Sequence, residues 1–403
     1  MTASILFVDS FDDYTDISQR WDVSNGGGNF SITTGAARTG IQGLNCSGSN
    51  GAARAILNFP SRATYIVGIA LNVQSFSGGE NEVFALFDGS TEQVCLTMDA
   101  SGNLRVRRGS AAGPLLGTAS SIIPFHAWHY LEFKVTISTT VGVAQVWLDG
   151  TSILSLTGQN TQTTVNAFAG SLWLKVFAVY FADDFYVLDP TVGGAYSTAL
   201  GDVKMVCSMP SGNGTLNNYT TTFASFLNSH SYVVGETFKD SNNNVQRCTI
   251  AGTSASSGTP TWATTGGSTT TSGGATFVVV GTGSNPGAAN WMAVSEIPPD
   301  DNSSYVTDAT PGDIDRYTYP SISGSSVKAV VVNIRGEKDD AGTRTIRAAV
   351  KSGGTSADSG TDLTLSLSSY VDFQGVFETD PNSGVAWTVS GVNAAEFGVK
   401  TTN

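Results

Sequence analysis

Charge is scarce in this chain of 403 residues: Asp, Glu, Lys and Arg together make up 13% of it. So little charged material leaves few residues to solvate the outer faces of amphipathic helices. The 20 basic residues are outnumbered by 33 acidic ones, for a formal net charge of −13, and they do not gather into one patch. That balance repels phosphate backbones and excludes nucleic-acid binding through a basic groove. Cysteine is rare as well. Cys46, Cys95, Cys207 and Cys248 stand far apart and form no CxxC pair, which excludes a zinc knuckle or a dense disulfide framework and predicts reduced, structural thiols. No run of about 18 apolar residues occurs, so no membrane insertion is expected. The opening MTASILFVDSFDDY lacks a basic stretch followed by an apolar core, so no export signal is expected and folding in a cytoplasm is.

What the chain does have is glycine, 46 residues of it, with abundant Ser and Thr. Many short strands joined by tight turns use that material well, and a length of 403 suits two or three domains. Residues 63–73 (ATYIVGIALNV), 82–89 (EVFALFDG), 103–109 (NLRVRRG), 130–137 (YLEFKVTI) and 143–150 (VAQVWLDG) each read as a strand ending at a turn. Their spacing predicts an all-β protein with two stacked antiparallel sheets. The segments 99–103 (DASGN) and Asp149-Gly150 supply the positive-φ positions that hairpins require.

Four phrases then fall in order: FVDSFDDY (7–14), WHYLEFKV (128–135), VWLDG (146–150) and ADDFYVLD (182–189). Together they resemble the concanavalin A-like jelly roll of the laminin-G and pentraxin type, in the form found in bacteriophage virion proteins. The resemblance covers residues 1–190 and implies that the last strand pairs with the first, bringing FVDSF beside DDFYVL. A boundary is expected at Pro190 to Gly194, where strand-breaking residues cluster. Residues 231–284, rich in Gly, Ser and Thr, resemble a small β-module of phage tail proteins through Cys248, Ala251 to Ser254, Pro260, Trp262, Gly273-Gly274 and Thr276 to Val280. Residues 191–230 and 285–403 are expected to form one discontinuous second β-sandwich around that insertion. Within it, Glu337 to Thr343 reads as an exposed hairpin with charges at its tip.

Chemistry is thinly represented. A jelly-roll glycosidase needs two carboxylates flanking one sugar bond, about 5 Å apart when the mechanism is retaining. Glu80-Asn81-Glu82 is the nearest arrangement and reads as a solvated turn. His126 and His129 would face opposite sides of a strand beginning near Trp128. With His230 in another predicted domain, no three-ligand zinc site is expected. Asp240, Asn242 and Asn244 imitate the start of an EF-hand loop, but Val245 stands where that loop needs Gly and Ala251 where it needs Glu, so a polar hairpin is expected. The acidic loops Pro298 to Tyr305 and Glu337 to Asp340 offer calcium ligands but read as solvated turns. GxSxG, Walker and GxGxxG motifs are missing, and the glycine clusters Gly26 to Gly28 and Gly266-Gly267 have no helix after them to hold phosphate. Trp21, Trp128, Trp147 and Trp173 are expected in cores, and Trp387 at an exposed edge.

No residue is therefore nominated as catalytic, as a metal ligand or as a glycan contact, no cofactor is expected, and the chain is expected not to be an enzyme. The resemblance implies a structural component of a phage virion, in the capsid decoration or the tail, whose partners are other virion proteins and further copies of itself, a trimer among the arrangements. The alternative is a carbohydrate-binding module that attaches to host-surface glycans. Such a site would need an exposed aromatic and converging polar groups.

Overall fold

A computed structural model describes residues 3–24, 29–48, 53–76, 78–176, 178–282 and 290–403. The glycine cluster Gly26 to Gly28 lies outside the described residues. The architecture is all-β, and the chain divides into two compact units, Met1–Cys207 and Ser208–Asn403.

The first unit has fifteen strands: β1 (Ile5–Asp9), β2 (Asp22–Ser24), β3 (Phe30–Thr33), β4 (Gly43–Cys46), β5 (Arg54–Arg62), β6 (Thr64–Ser75), β7 (Asn81–Asp88), β8 (Thr91–Met98), β9 (Asn103–Arg108), β10 (Leu115–Ile122), β11 (His129–Thr136), β12 (Gly142–Leu148), β13 (Thr151–Gln159), β14 (Ala169–Lys175) and β15 (Val179–Leu188). They form an eight-stranded sheet, β13-β12-β11-β6-β15-β4-β3 with β1 on β15, and a seven-stranded sheet, β10-β9-β8-β7-β14-β5-β2. All pairs are antiparallel, and β1 pairs with β15, as expected, with Val8 opposite Tyr186 and Asp9 opposite Phe185. Alternation explains the layering, because successive side chains of a strand point to opposite faces. Val67, Ile69 and Leu71 of β6, Leu131 and Phe133 of β11, Leu96 and Met98 of β8, and Leu172 and Leu174 of β14 all enter one core between the sheets. At 25 cal/mol per Å², each such side chain contributes about 1.5–3 kcal/mol on burial. Trp21 seals the end beside β1, its indole N–H donating to the buried Asp9 carboxylate at 2.8 Å.

The first unit runs past 190, beyond the expected boundary. Residues 195–205 form a strap over the outer face of the eight-stranded sheet, where Tyr196, Ala199, Leu200, Val203 and Met205 pack on Ile66, Ala70, Tyr130, Tyr186 and Leu188. Trp128 joins that cluster, so it lies outside the central core.

In the second unit a six-stranded sheet places Gly212–Asn217, Ile314–Thr318, Glu396–Thr401, Thr345–Ser352 and Thr355–Asp358 side by side, with Leu363–Thr364 on the fourth. Val330–Gly336 pairs only with Val371–Phe377 among the described strands. Residues 337–343 therefore cross between two sheets and are not the hairpin the charges suggested. Trp387 is buried and donates its indole N–H to the Phe377 carbonyl at 2.9 Å, a correction to the expected exposed edge. A four-stranded sheet of Thr237–Lys239, Asn244–Ile250, Ala275–Thr282 and Thr269–Ser272 carries its own aromatic core of Tyr232, Phe238, Trp262 and Phe277, with Phe226 packed against it.

Candidate functional site

With the strap covering one outer face of the first unit, the outer face of the seven-stranded sheet is the other surface on which long strands present side chains. Here Phe87 of β7 and Trp173 of β14 stack, ring centroids 3.6 Å apart and planes 16° from parallel. The guanidinium of Arg54, from β5 on the opposite side of β14, lies 3.9 Å from the Trp173 ring. Two groups this close cannot share one face of an indole, so Trp173 is held between a phenyl ring and a guanidinium. Trp173 was expected in the core; the alternation that sends Leu172 and Leu174 inward sends Trp173 outward, and it is half-buried.

Beside this stack the bulge between Glu82 and Phe84 turns Glu82 onto the same face. Glu82 accepts a hydrogen bond from the Ala111 amide at 2.8 Å and another from the Lys175 ammonium. Glu92 of β8 lies across from it, 4.0 Å from the Lys175 ammonium. One oxygen of each glutamate and the Cys95 sulfur fall within 4.8 Å of one another. Burial, with the Glu82 charge next, pushes the Glu92 carboxyl up to about 7, while Lys175 works the other way. The Cys95 thiol, buried and facing these acids, is pushed far above its usual range. A metal ion at this triad would meet the Lys175 ammonium, which already supplies the positive charge.

Glu80 takes no part in the triad. It accepts from Arg107 at 2.5 and 2.8 Å and from the Thr97 hydroxyl at 2.5 Å, and these contacts hold its carboxyl below the usual range. Glu80 and Glu82 are therefore not the solvated turn of the sequence reading: each is tied down, and the carboxylate pair the fold assembles is Glu82 with Glu92. Two carboxylates ten residues apart that meet only through their side chains, each opposite another residue in the β7–β8 register, carry no motif, so this pair was missed.

The other sequence candidates stay apart. His126 is exposed in a turn at φ 63°, and His129 is half-buried with its Nδ1 2.7 Å from Asp149 Oδ2. His230 Nε2 lies 2.8 Å from Glu236 Oε1 in the second unit. The Asp240 carboxylate accepts from the amides of Asn242 at 2.8 Å and Asn244 at 2.9 Å and from the Gln246 side chain at 2.7 Å, capping a hairpin turn with Asn243 at φ 64°. In the acidic loops Asp300 accepts from Ser304, Asp301 pairs with Arg335 at 2.6 Å and Asp340 with Arg344 at 2.6 Å. Trp147 is half-buried on the outward-facing register of β12, away from the core that takes Val146 and Leu148. Gly266-Gly267 forms a turn with Gly267 at φ 80°.

No protein-family model matches the chain, and no curated protein matches it. Among solved structures it is similar to the PL-14 alginate lyase from Aplysia kurodai, at 12% identity and TM-score 0.38, over 47% of this chain and 100% of that one. Domain 4 of AbnA, a GH43 extracellular arabinanase from Geobacillus stearothermophilus in complex with arabinotriose, is similar at 17% identity and TM-score 0.33, over 47% of this chain and 94% of that one. A Trypanosoma rangeli sialidase is similar at 11% identity and TM-score 0.29, over 40% of this chain and only 27% of the sialidase. Enzymes thus stand among the structural neighbours, and the expectation that the chain is not an enzyme is withdrawn. At these identities and TM-scores no activity, substrate or residue role is transferred.

Proposed function

We propose that the first unit recognises a glycan on the outer face of its seven-stranded sheet. The observation that carries this reading is the group Arg54, Phe87, Trp173, Glu82, Glu92 and Lys175, a stacked aromatic–guanidinium array with a half-buried tryptophan edge and converging polar groups on the sheet face away from the strap. The Glu82 and Glu92 pair adds acid and base groups beside the array, which is the equipment general acid–base chemistry on a bound sugar requires. Attachment of a phage virion to host-surface glycan is the setting we propose, supported by the phrases of residues 7–14 and 182–189.

The test is a glycan array and host-envelope binding assay on the full chain, followed by Trp173→Ala with Trp147→Ala as control. Trp173→Ala should weaken binding by a factor of ten or more, because it removes the ring that seats Arg54 together with the exposed edge of that ring, and Trp147→Ala should leave it unchanged. Binding undiminished in Trp173→Ala would overturn the assignment of the face.

A further inference from the structure

We infer that Arg54 forms an anion-recognising position within this face, so that the glycan bound there carries acidic sugars. The inference rests on the reading of the face as a glycan site. Arg54 and Lys175 stand directly opposite each other on β5 and β14. Like charges in that position repel and weaken a sheet unless something neutralises them. Lys175 is neutralised by Glu82, with Glu92 nearby. Arg105 and Arg107 farther along the face are neutralised by Asp99 and Glu80. Arg54 has no ion-pair partner among the described residues, and its Nε is buried without a hydrogen-bond partner.

A half-buried guanidinium with no carboxylate on it among the described residues, standing opposite another cation, keeps its charge available to an anion from outside. Its geometry is also fixed in advance. Contact with Trp173, whose other face rests on Phe87, fixes where the guanidinium sits, and its two terminal nitrogens, unlike the buried Nε, are the donors that a carboxylate can meet. The acids nearby do not cancel this. Glu82 is engaged by Lys175 and Ala111, and Glu92 keeps a proton much of the time near neutrality. Carboxylated and sulfated sugars share the chemistry that Arg54 recognises, and separate arms of the test distinguish them.

The experiment measures binding of the full chain to a polyuronate, a sulfated polysaccharide and a neutral polysaccharide of similar length, at low and high salt. Arg54→Gln and Arg54→Lys are compared with the native chain, and the ligand-dependent change in tryptophan fluorescence that disappears in Trp173→Phe is a second readout. The expected result is preference for one of the two acidic polymers, weakened by salt and reduced about tenfold or more in Arg54→Gln, as for loss of a charged hydrogen-bond pair. Arg54→Lys should recover part of that loss, because charge returns without the planar fork. Preference for the polyuronate identifies carboxylate as the group bound, and preference for the sulfated polymer identifies sulfate. Equal binding of acidic and neutral polymers, unchanged in Arg54→Gln, would overturn this inference and leave the glycan face standing. No binding of any polymer by the native chain would overturn both.

Discussion

The two outer faces of the first unit are built from the same material, alternate residues of long antiparallel strands, and end up in opposite conditions. On the eight-stranded sheet the acids receive hydrogen bonds from the chain's own backbone. Glu132 accepts from the Gly201 amide at 2.9 Å and from the Tyr186 hydroxyl, and Asp184 accepts from the Met205 amide at 2.7 Å. On the seven-stranded sheet the charges pair with one another, and Arg54 is left over. Buried acids served by backbone N–H groups bind a strap in place, whereas the Arg54 guanidinium has no carboxylate on it among the described residues. The first face is closed by the chain; the second is the one on which the proposal above places a partner.

Removing a ring from each face gives the largest contrast. Tyr186 is fully buried, and it packs so close to Gly68 that a Cβ there would sit 2.1 Å from its ring. Tyr186→Ala should cost about 3–5 kcal/mol, from the cavity and the lost partner of Glu132. Trp173→Ala, losing a half-buried ring, should cost roughly 1–2 kcal/mol. Thermal unfolding of the two variants measures both; equal losses would mean that the seven-stranded face is as closed as the other.

Protonation sharpens the same comparison. Glu92 on the bare face and Asp183 beside the covered one are both pushed up to about 7, each by burial first and by an acidic neighbour second. A carboxyl whose folded value is raised binds more protons folded than unfolded, so its stabilising contribution is complete below the ordinary value and fades as pH rises toward 7. Glu92→Gln keeps the group neutral, and should raise the melting temperature at pH 8 by a few degrees while changing little at pH 4. Asp183→Asn should lower it at both. The Asp183 carboxylate accepts the amides of Arg38 at 2.7 Å and Thr39 at 3.0 Å on one oxygen and that of Asp184 at 2.8 Å on the other. An amide cannot accept on both sides. Melting curves at pH 4, 6 and 8 decide between these outcomes, and a Glu92→Gln curve parallel to the native one would remove the proton from the account of the bare face.

Much of the frame was legible in the sequence, and the reasons are local. Period-two alternation located β6, β7, β9, β11 and β12, and the turn residues Asp149 at φ 50° and Gly150 at φ 75° stand where the DG pair placed them. The FVDSF and ADDFYVL phrases pair as their resemblance implied. The strap was invisible because residues 195–205 have no period of their own and are held by tertiary contact alone. The face at Arg54 was hidden for a related reason. Arg54, Ile56 and Asn58 alternate with Ala55 and Leu57, which marks an outward register for β5. Nothing in that register says that Trp173, over a hundred residues later, lies beside it. Glu82 was singled out with the wrong partner, since Glu80 is near it in sequence whereas the carboxylate that meets its own is that of Glu92.

The smallest expected effect decides whether Arg54 belongs to the bare face or to the fold. Replacing it with Gln removes a cation–π contact worth about 0.5–1 kcal/mol, and also removes the repulsion between Arg54 and Lys175 and the burial of an unpaired N–H. These contributions oppose each other, so stability in urea should change by about 0.5 kcal/mol or less, with an unchanged denaturant slope. Salt should then separate the two chains, because screening relieves a repulsion present in the native chain and missing from the variant. The native chain should gain stability relative to Arg54→Gln as salt rises. A loss of about 2 kcal/mol in Arg54→Gln, insensitive to salt, would make the guanidinium a staple of the stack. The two faces would then differ in appearance alone, since each would be satisfied from within.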